Sequence, residues 1–185
     1  MKTYILTGGA STRFGENKLL AEVNGKAMLS SVIDKVNRIS ESVVLCGKPE
    51  LMSGFGLIAL ADSEGLNGPL KGIASALGDE YAGDRFLLAG DMPYITADGL
   101  EFYLSHTRLT PNTILIPETQ DGNHHYLHIF IPESLVSSAR DAMSDPAPFS
   151  VRTWLSRLPT EILQIPAVFS AHFRNVNFRE DLDEG

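Results

Sequence analysis

Gly8 and Gly9, then Arg13, Gly15 and Lys18, follow directly on the apolar run Tyr4-Ile5-Leu6. Glycine tolerates positive φ and lets a ligand approach main-chain N–H groups without meeting a Cβ, and two cations just beyond can neutralise its charge. The chemistry these residues can do is to hold a phosphate. Neither of the two common phosphate loops matches: Gly15 is followed by Glu16-Asn17-Lys18 rather than Lys-Ser/Thr, and Gly-x-Gly-x-x-Gly is missing. An ordinary βα turn with solvated charges would also leave such a stretch. Asp62 and Asp91 each stand just after an apolar run as well. A carboxylate there can face a ligand, or simply cap a helix or a turn.

The elements that must position these groups alternate between short β-branched runs and helical patterns, which predicts an α/β fold with a mostly parallel sheet. Strands are expected at Thr3 to Leu6, "SVVLCG", "GLIALAD" ending at Asp62, "RFLLAGDMP" ending at Asp91, "TILIP", "YLHIFIP" and "EILQIP". Asn24-Gly25 reads as a tight turn, after which Met28, Leu29, Val32, Ile33, Val36 and Ile39 recur at helical spacing. Further helices are expected in "GPLKGIASALGDE", with Pro69 in its first turn, and in "TADGLEFYLSHTRL", "SLVSSARDAM" and "SVRTWLSRL". Open sheets of this kind bind ligands beyond the carboxyl ends of their strands, so Gly8-Gly9, Gly47, Asp62 and Asp91 should gather on one edge.

At 185 residues, 43% hydrophobic and 21% charged, the chain is expected to form one domain over residues 1–185. A net charge of −8 argues against nucleic acid as a partner, while leaving room for a phosphorylated ligand in one locally basic pocket. Cys46 is the single cysteine, which excludes an internal disulfide and suits packing at a strand end. No run has the length and apolarity of a membrane span, and Met1-Lys2-Thr3 passes at once into a strand, so a cytoplasmic location without membrane attachment is expected.

Four stretches together resemble the molybdenum cofactor guanylyltransferases, a branch of the nucleotidyltransferases: "LTGGASTRFGENKLL", "GPLKGI", "LLAGDMP" and "FRNVNFREDL", in the family's order along the chain. "SVRTWLSRL" resembles a family segment more weakly. The resemblance implies a Rossmann-like three-layer sandwich of the nucleotide-diphospho-sugar transferase type. It also implies transfer of GMP from GTP to the terminal phosphate of molybdopterin, with release of pyrophosphate and Mg²⁺ as cofactor. By the same resemblance Leu6, Thr7, Gly8 and Gly9 hold the nucleotide, while Arg13 and Lys18 sit over its phosphates. Asp91 coordinates the metal, Asp62 contacts the nucleotide, Gly68-Pro69-Leu70 belong to the binding set, and Asn175 with Asn177 line the pterin side. GTP and molybdopterin are then the substrates of a protein expected to be monomeric, with other cofactor-assembly proteins as further partners. The chain departs from the family pattern at Asn17, where an Asp is common, at Gly47, where an Asn is expected near the base, and at Tyr126-Leu127, where Pro-Leu is usual.

Other readings stay open at this point: a related transferase for another base or acceptor, such as a cytidylyltransferase, or a nucleotide-binding partner without turnover. Arg13, Lys18 and Asp91 together favour an enzyme, because binding alone does not need a full set of charge-stabilising groups. His124, His125 and His128 form a cluster that could hold zinc, but with no cysteine or well-spaced acid nearby they are expected to line the substrate side or face solvent. Trp154, among leucines at helical spacing, is assigned to the core rather than to a pterin platform.

Overall fold

The computed structural model describes residues 1–8, 18–144 and 147–176, with Leu51 as backbone only. Its centre is a five-stranded sheet of β1 (Lys2–Leu6), β4 (Ser42–Gly47), β5 (Ile58–Ala61), β6 (Arg85–Ala89) and β8 (His128–Ile131), in the order β5-β4-β1-β6-β8. The first four run parallel and β8 is antiparallel at the edge. The register places Leu6 level with Cys46 and Ala89, and Gly47 level with Ala61, so four parallel strands end along one line. β7 (Ile114–Glu118) and β9 (Thr160–Gln164) form a separate parallel pair, and β2 (Glu22–Val23) and β3 (Lys26–Ala27) a small hairpin. Asn24 and Gly25 both have positive φ, at 52° and 74°, which is the turn whose twist suits a two-residue hairpin.

Side chains alternate across the sheet with period two, and each face builds its own core. Ile5, Leu45, Phe86 and Leu88 pack against α1 (Met28–Val36) and α4 (Ala97–Thr107). Tyr4, Leu6, Val44, Cys46 and Leu87 face α3 (Leu70–Gly78), α5 (Glu133–Asp141) and α6 (Val151–Leu155). This is the expected three-layer arrangement. Trp154 is fully buried in the second core and donates its indole N–H to the Ala139 carbonyl at 2.9 Å. Burial pushes the Cys46 thiol up to about 12, so it is an inert packing group. Two short helices, α2 (Pro49–Met52) and α7 (Ala167–Ser170), have no counterpart in the sequence reading. Each is a single turn, too short to carry a period.

His128 departs from expectation: instead of lining the substrate side or meeting solvent, it is completely buried. Its ring stands edge-on to Phe86 and Tyr103, with centroids 5.0 and 4.8 Å away, and neither ring nitrogen has a hydrogen-bond partner among the described residues. Burial, with a smaller push from His125, lowers its pKa from 6.5 to about 3. The neutral ring is thus favoured in the fold. Its contribution is complete above the unfolded value near 6.5 and is lost as pH falls toward the folded one. Urea unfolding at pH 7 and pH 4 should therefore show the wild type losing about 3 kcal/mol more over that range than His128→Leu, which has no proton to take up. Equal losses would mean that His128 is not held neutral by the core.

Candidate active site

The glycine edge is built by close contact between strand ends. Thr7 donates its main-chain N–H to the Cys46 carbonyl at 2.7 Å, and its hydroxyl bonds the same oxygen at 2.8 Å. A Cβ on Gly47, which has φ +157°, would stand 2.3 Å from the Thr7 hydroxyl and 3.1 Å from the Gly8 nitrogen. Only glycine therefore lets the end of β1 lie where it does, which gives the Gly47 departure a structural cause. Asp62, one residue past β5, donates its main-chain N–H to the Gly47 carbonyl. Its carboxylate lies against Gly8, where a Cβ would come within 3.1 Å of Oδ2, and Gly72 leaves it room on the α3 side. Asp62 Oδ1 is buried without a hydrogen-bond partner among the described residues. An acceptor of that kind is costly unless a donor reaches it.

Gly68-Pro69-Leu70 lead into α3, with Gly68 at positive φ (54°) and Pro69 at the N-cap. Leu70 is fully buried in the second core, so its side chain serves packing and only its backbone is available to a ligand. Leu6 likewise buries its side chain, while its carbonyl accepts from the Gly90 N–H at 3.0 Å. That bond ties the end of β1 to the turn carrying Asp91, which stands two residues beyond β6 rather than at its end.

Asp91 is the meeting point of three segments. Lys18 Nζ lies 2.6 Å from Oδ2, the Asn175 amide donates to Oδ1 at 3.0 Å, and the Val176 N–H donates to the Asp91 carbonyl at 2.9 Å. Behind it, Lys35 on α1 donates to the Pro93 carbonyl, and Pro93 stiffens the turn. Asp91 and Lys18 are each 18% exposed, enough to reach a ligand and enclosed enough for their charges to matter. Lys18, Asp62, Asp91 and Asn175 are thus all brought to the strand-end edge. Gly9, Arg13 and Asn177 lie outside the described residues.

Beside Asp91 opens a cleft of about 780 Å³, lined by Met92, by the segment from Thr119 to Leu127 and by the stretch from Ala167 to Asn175. Two hydrogen-bonded groups stand in its wall. In the first, Glu118 accepts from the Gln164 amide at 2.7 Å and from His124 Nε2, which together hold its carboxyl below the usual range, and His124 Nδ1 meets the Tyr126 hydroxyl at 3.0 Å. In the second, Thr119 links Asp121 to His125. His124 and His125 line this cleft. Phe173, Arg174 and the Thr119–Asp121 pair were not singled out in the sequence. The cleft exists only because two loops some 50 residues apart meet, and the only signals were the histidine cluster and Asn175.

Asp91 offers a hard divalent cation one carboxylate at a rigid turn. Its Oδ1 accepts from the Asn175 amide and Oδ2 faces the Lys18 ammonium, so a cation would use that carboxylate, with phosphate oxygens and water, once the lysine turns away. Among the described residues no group of three or more His, Cys, Asp or Glu forms a protein-only metal cage. Magnesium at nucleotide sites commonly relies on one or two carboxylates, so Asp91 fits that use.

A glycine-lined edge at the carboxyl ends of parallel strands, a lysine–aspartate pair and a cleft beside them define an α/β protein with its candidate site at the sheet edge. Residues 3–161 match the MobA-like NTP transferase domain, and the chain belongs to that family. The "Probable molybdenum cofactor guanylyltransferase" of Thermococcus gammatolerans is 30% identical over 190 residues, covering 96% of this chain and 95% of its own. The molybdenum cofactor guanylyltransferase of Rhodopseudomonas palustris is also 30% identical over 190 residues, covering 97% and 90%. In fold, the chain is similar to molybdopterin-guanine dinucleotide biosynthesis protein A of Archaeoglobus fulgidus, with a TM-score of 0.80 at 22% identity over 99% of this chain and 95% of that one. No helix among the described residues is long and apolar enough to cross a membrane.

Proposed function

We propose that this protein transfers the GMP moiety of GTP to the terminal phosphate of molybdopterin and releases pyrophosphate, in the cytoplasm and with Mg²⁺. The observation that carries the proposal is the position of Asp91, which touches Lys18 on one side and Asn175, a residue of the cleft wall, on the other. Two substrates bound on either side would meet there. The names of the relatives supply the substrate classes.

An ionised oxygen of the acceptor's terminal phosphate attacks the α-phosphorus, a new P–O bond forms, the bond to the β-bridging oxygen breaks, and its electron pair leaves on pyrophosphate. No strong general base is needed, because the attacking oxygen carries no proton. The work falls to positioning and to fixed charge. Thr7 and Gly8 hold the nucleotide edge open for close backbone approach, and Asp62 Oδ1, which has no partner among the described residues, offers an acceptor to a nucleotide N–H or O–H. Lys18 turns from Asp91 to the phosphate oxygens, where charge builds. Asp91 is the residue that would hold Mg²⁺, which when bound supplies charge neutralisation on the phosphates. Asn175 keeps the Asp91 carboxylate oriented.

The test is the rate of pyrophosphate release with GTP, CTP and ATP, each with molybdopterin and Mg²⁺. GTP should be used at least ten-fold more efficiently than either alternative, since a site that hydrogen-bonds one base edge leaves its own groups unpaired with another. Equal use of all three would remove guanine from the proposal, and preference for CTP would make the protein a cytidylyltransferase.

A further inference from the structure

The cleft wall contains an imidazole whose protonation is set by its neighbours. Asp121 accepts a hydrogen bond from the Thr119 hydroxyl at 2.6 Å and from the Asn123 main-chain N–H at 3.3 Å, and the Asn123 side-chain amide is a third donor. These bonds hold the Asp121 carboxyl below its usual range, so it is ionised and can only accept. The one hydroxyl hydrogen of Thr119 is thereby committed. The 3.1 Å contact between Thr119 Oγ1 and His125 Nε2 then requires the hydrogen to lie on Nε2. Burial keeps the His125 ring neutral at pH 7, so Nδ1 is left with a lone pair and no partner among the described residues. Thr119 is only 5% exposed, which shields this relay from competing water.

The cleft that His125 lines has aromatic and apolar groups among the polar ones of its wall. Phe173 lies 5.2 Å from the His125 ring centroid to centroid, and Tyr126, Leu127 and Met92 line the same space. A flat surface beside an in-plane acceptor suits a flat ring that carries an N–H on its edge. Resting on the reading of this cleft as the acceptor side, we propose that His125, with its tautomer fixed by Thr119 and Asp121, is the hydrogen-bond acceptor that selects a planar N–H-bearing heterocycle such as the pterin ring. An edge that presents only lone pairs would leave two acceptors facing each other, so the arrangement discriminates by chemistry as well as by shape.

Free pterin is the probe, with binding followed by its fluorescence in wild type, His125→Phe, His125→Gln and Thr119→Val, beside the KM for molybdopterin and calorimetric titration of GTP. His125→Phe keeps a ring against Phe173 and removes the acceptor. It should weaken pterin binding and raise the molybdopterin KM by about ten-fold, with GTP affinity unchanged within about two-fold. His125→Gln retains an acceptor oxygen and should recover most of the loss, while Thr119→Val, which frees the tautomer, should lose about three-fold. Unchanged pterin binding and KM in His125→Phe would overturn the proposal, as would an equal loss for pterin and GTP. Pterin binding that depends on His125, in a wild type that releases no pyrophosphate from GTP and molybdopterin, would sink the transferase reading and leave this one standing.

Discussion

Asp91→Asn should fold like the wild type and release pyrophosphate about 10³-fold more slowly at any Mg²⁺ concentration. The substitution keeps the shape of the side chain and an oxygen for the Asn175 amide, whose bond to Oδ1 is 3.0 Å long. It places a neutral amide opposite the Lys18 ammonium, where a carboxylate stood 2.6 Å away. A hard cation loses its one charged protein ligand in this account, and the phosphates lose the neutralisation it brings. Stability should change by less than about 1 kcal/mol, because a pair that reaches solvent contributes little. Thermal unfolding and GTP titration serve as controls. A variant that turned over normally would reduce Asp91 to a turn residue and move any metal elsewhere, with Asp62 the next carboxylate along the edge.

Lys18→Ala should cost about 10²- to 10³-fold in kcat, roughly 3 kcal/mol of transition-state stabilisation, by analogy with the loss of one preorganised donor to a developing charge. KM for GTP should rise much less, since the main-chain edge at Thr7 and Gly8 is untouched. The pairing of Lys18 with Asp91 implies an asymmetry between the two variants. Removing the lysine leaves the carboxylate free for a cation, so raised Mg²⁺ should recover part of the Lys18→Ala loss and none of the Asp91→Asn loss. Measuring kcat across a Mg²⁺ series in both variants decides it, and identical Mg²⁺ curves would contradict the separate roles given to the two residues.

The central fold was legible because both of its periods are strong. Alternation in β1, β4 and β6 divides Ile5 from Tyr4 and Leu6, and Leu45 from Val44 and Cys46, between two cores. Helical spacing from Met28 to Val36 marks α1, and Asn24-Gly25 marks the hairpin turn. The convergence of Gly8, Gly47 and Asp62 was readable as well, because parallel strands that end in register must bring their last residues together. What could not be read depends on contacts between distant segments. Lys18 and Asp91 are 73 positions apart and Asn175 and Asp91 are 84, and no local spacing encodes either contact. His128 was misplaced because a polar residue type in an otherwise apolar strand reads as a surface position, whereas its neighbours Phe86, Tyr103 and Phe173 enclose it. The role of Gly47 was hidden for a related reason. Its necessity lies in the hydroxyl of Thr7 across the sheet and not in its own turn.

If Asp91, Lys18 and Asn175 form the active edge, the α-phosphate of GTP is joined there to the terminal phosphate of molybdopterin. The most direct measurement gives the wild type molybdopterin and Mg²⁺ with GTP labelled at the α-phosphorus in one reaction and at the γ-phosphorus in another, and follows where each label goes. The α-label should appear in a molybdopterin–guanine dinucleotide and the γ-label in pyrophosphate, in equal amounts. An α-label that stays in GTP, or that leaves as free GMP while molybdopterin remains unmodified, would contradict it.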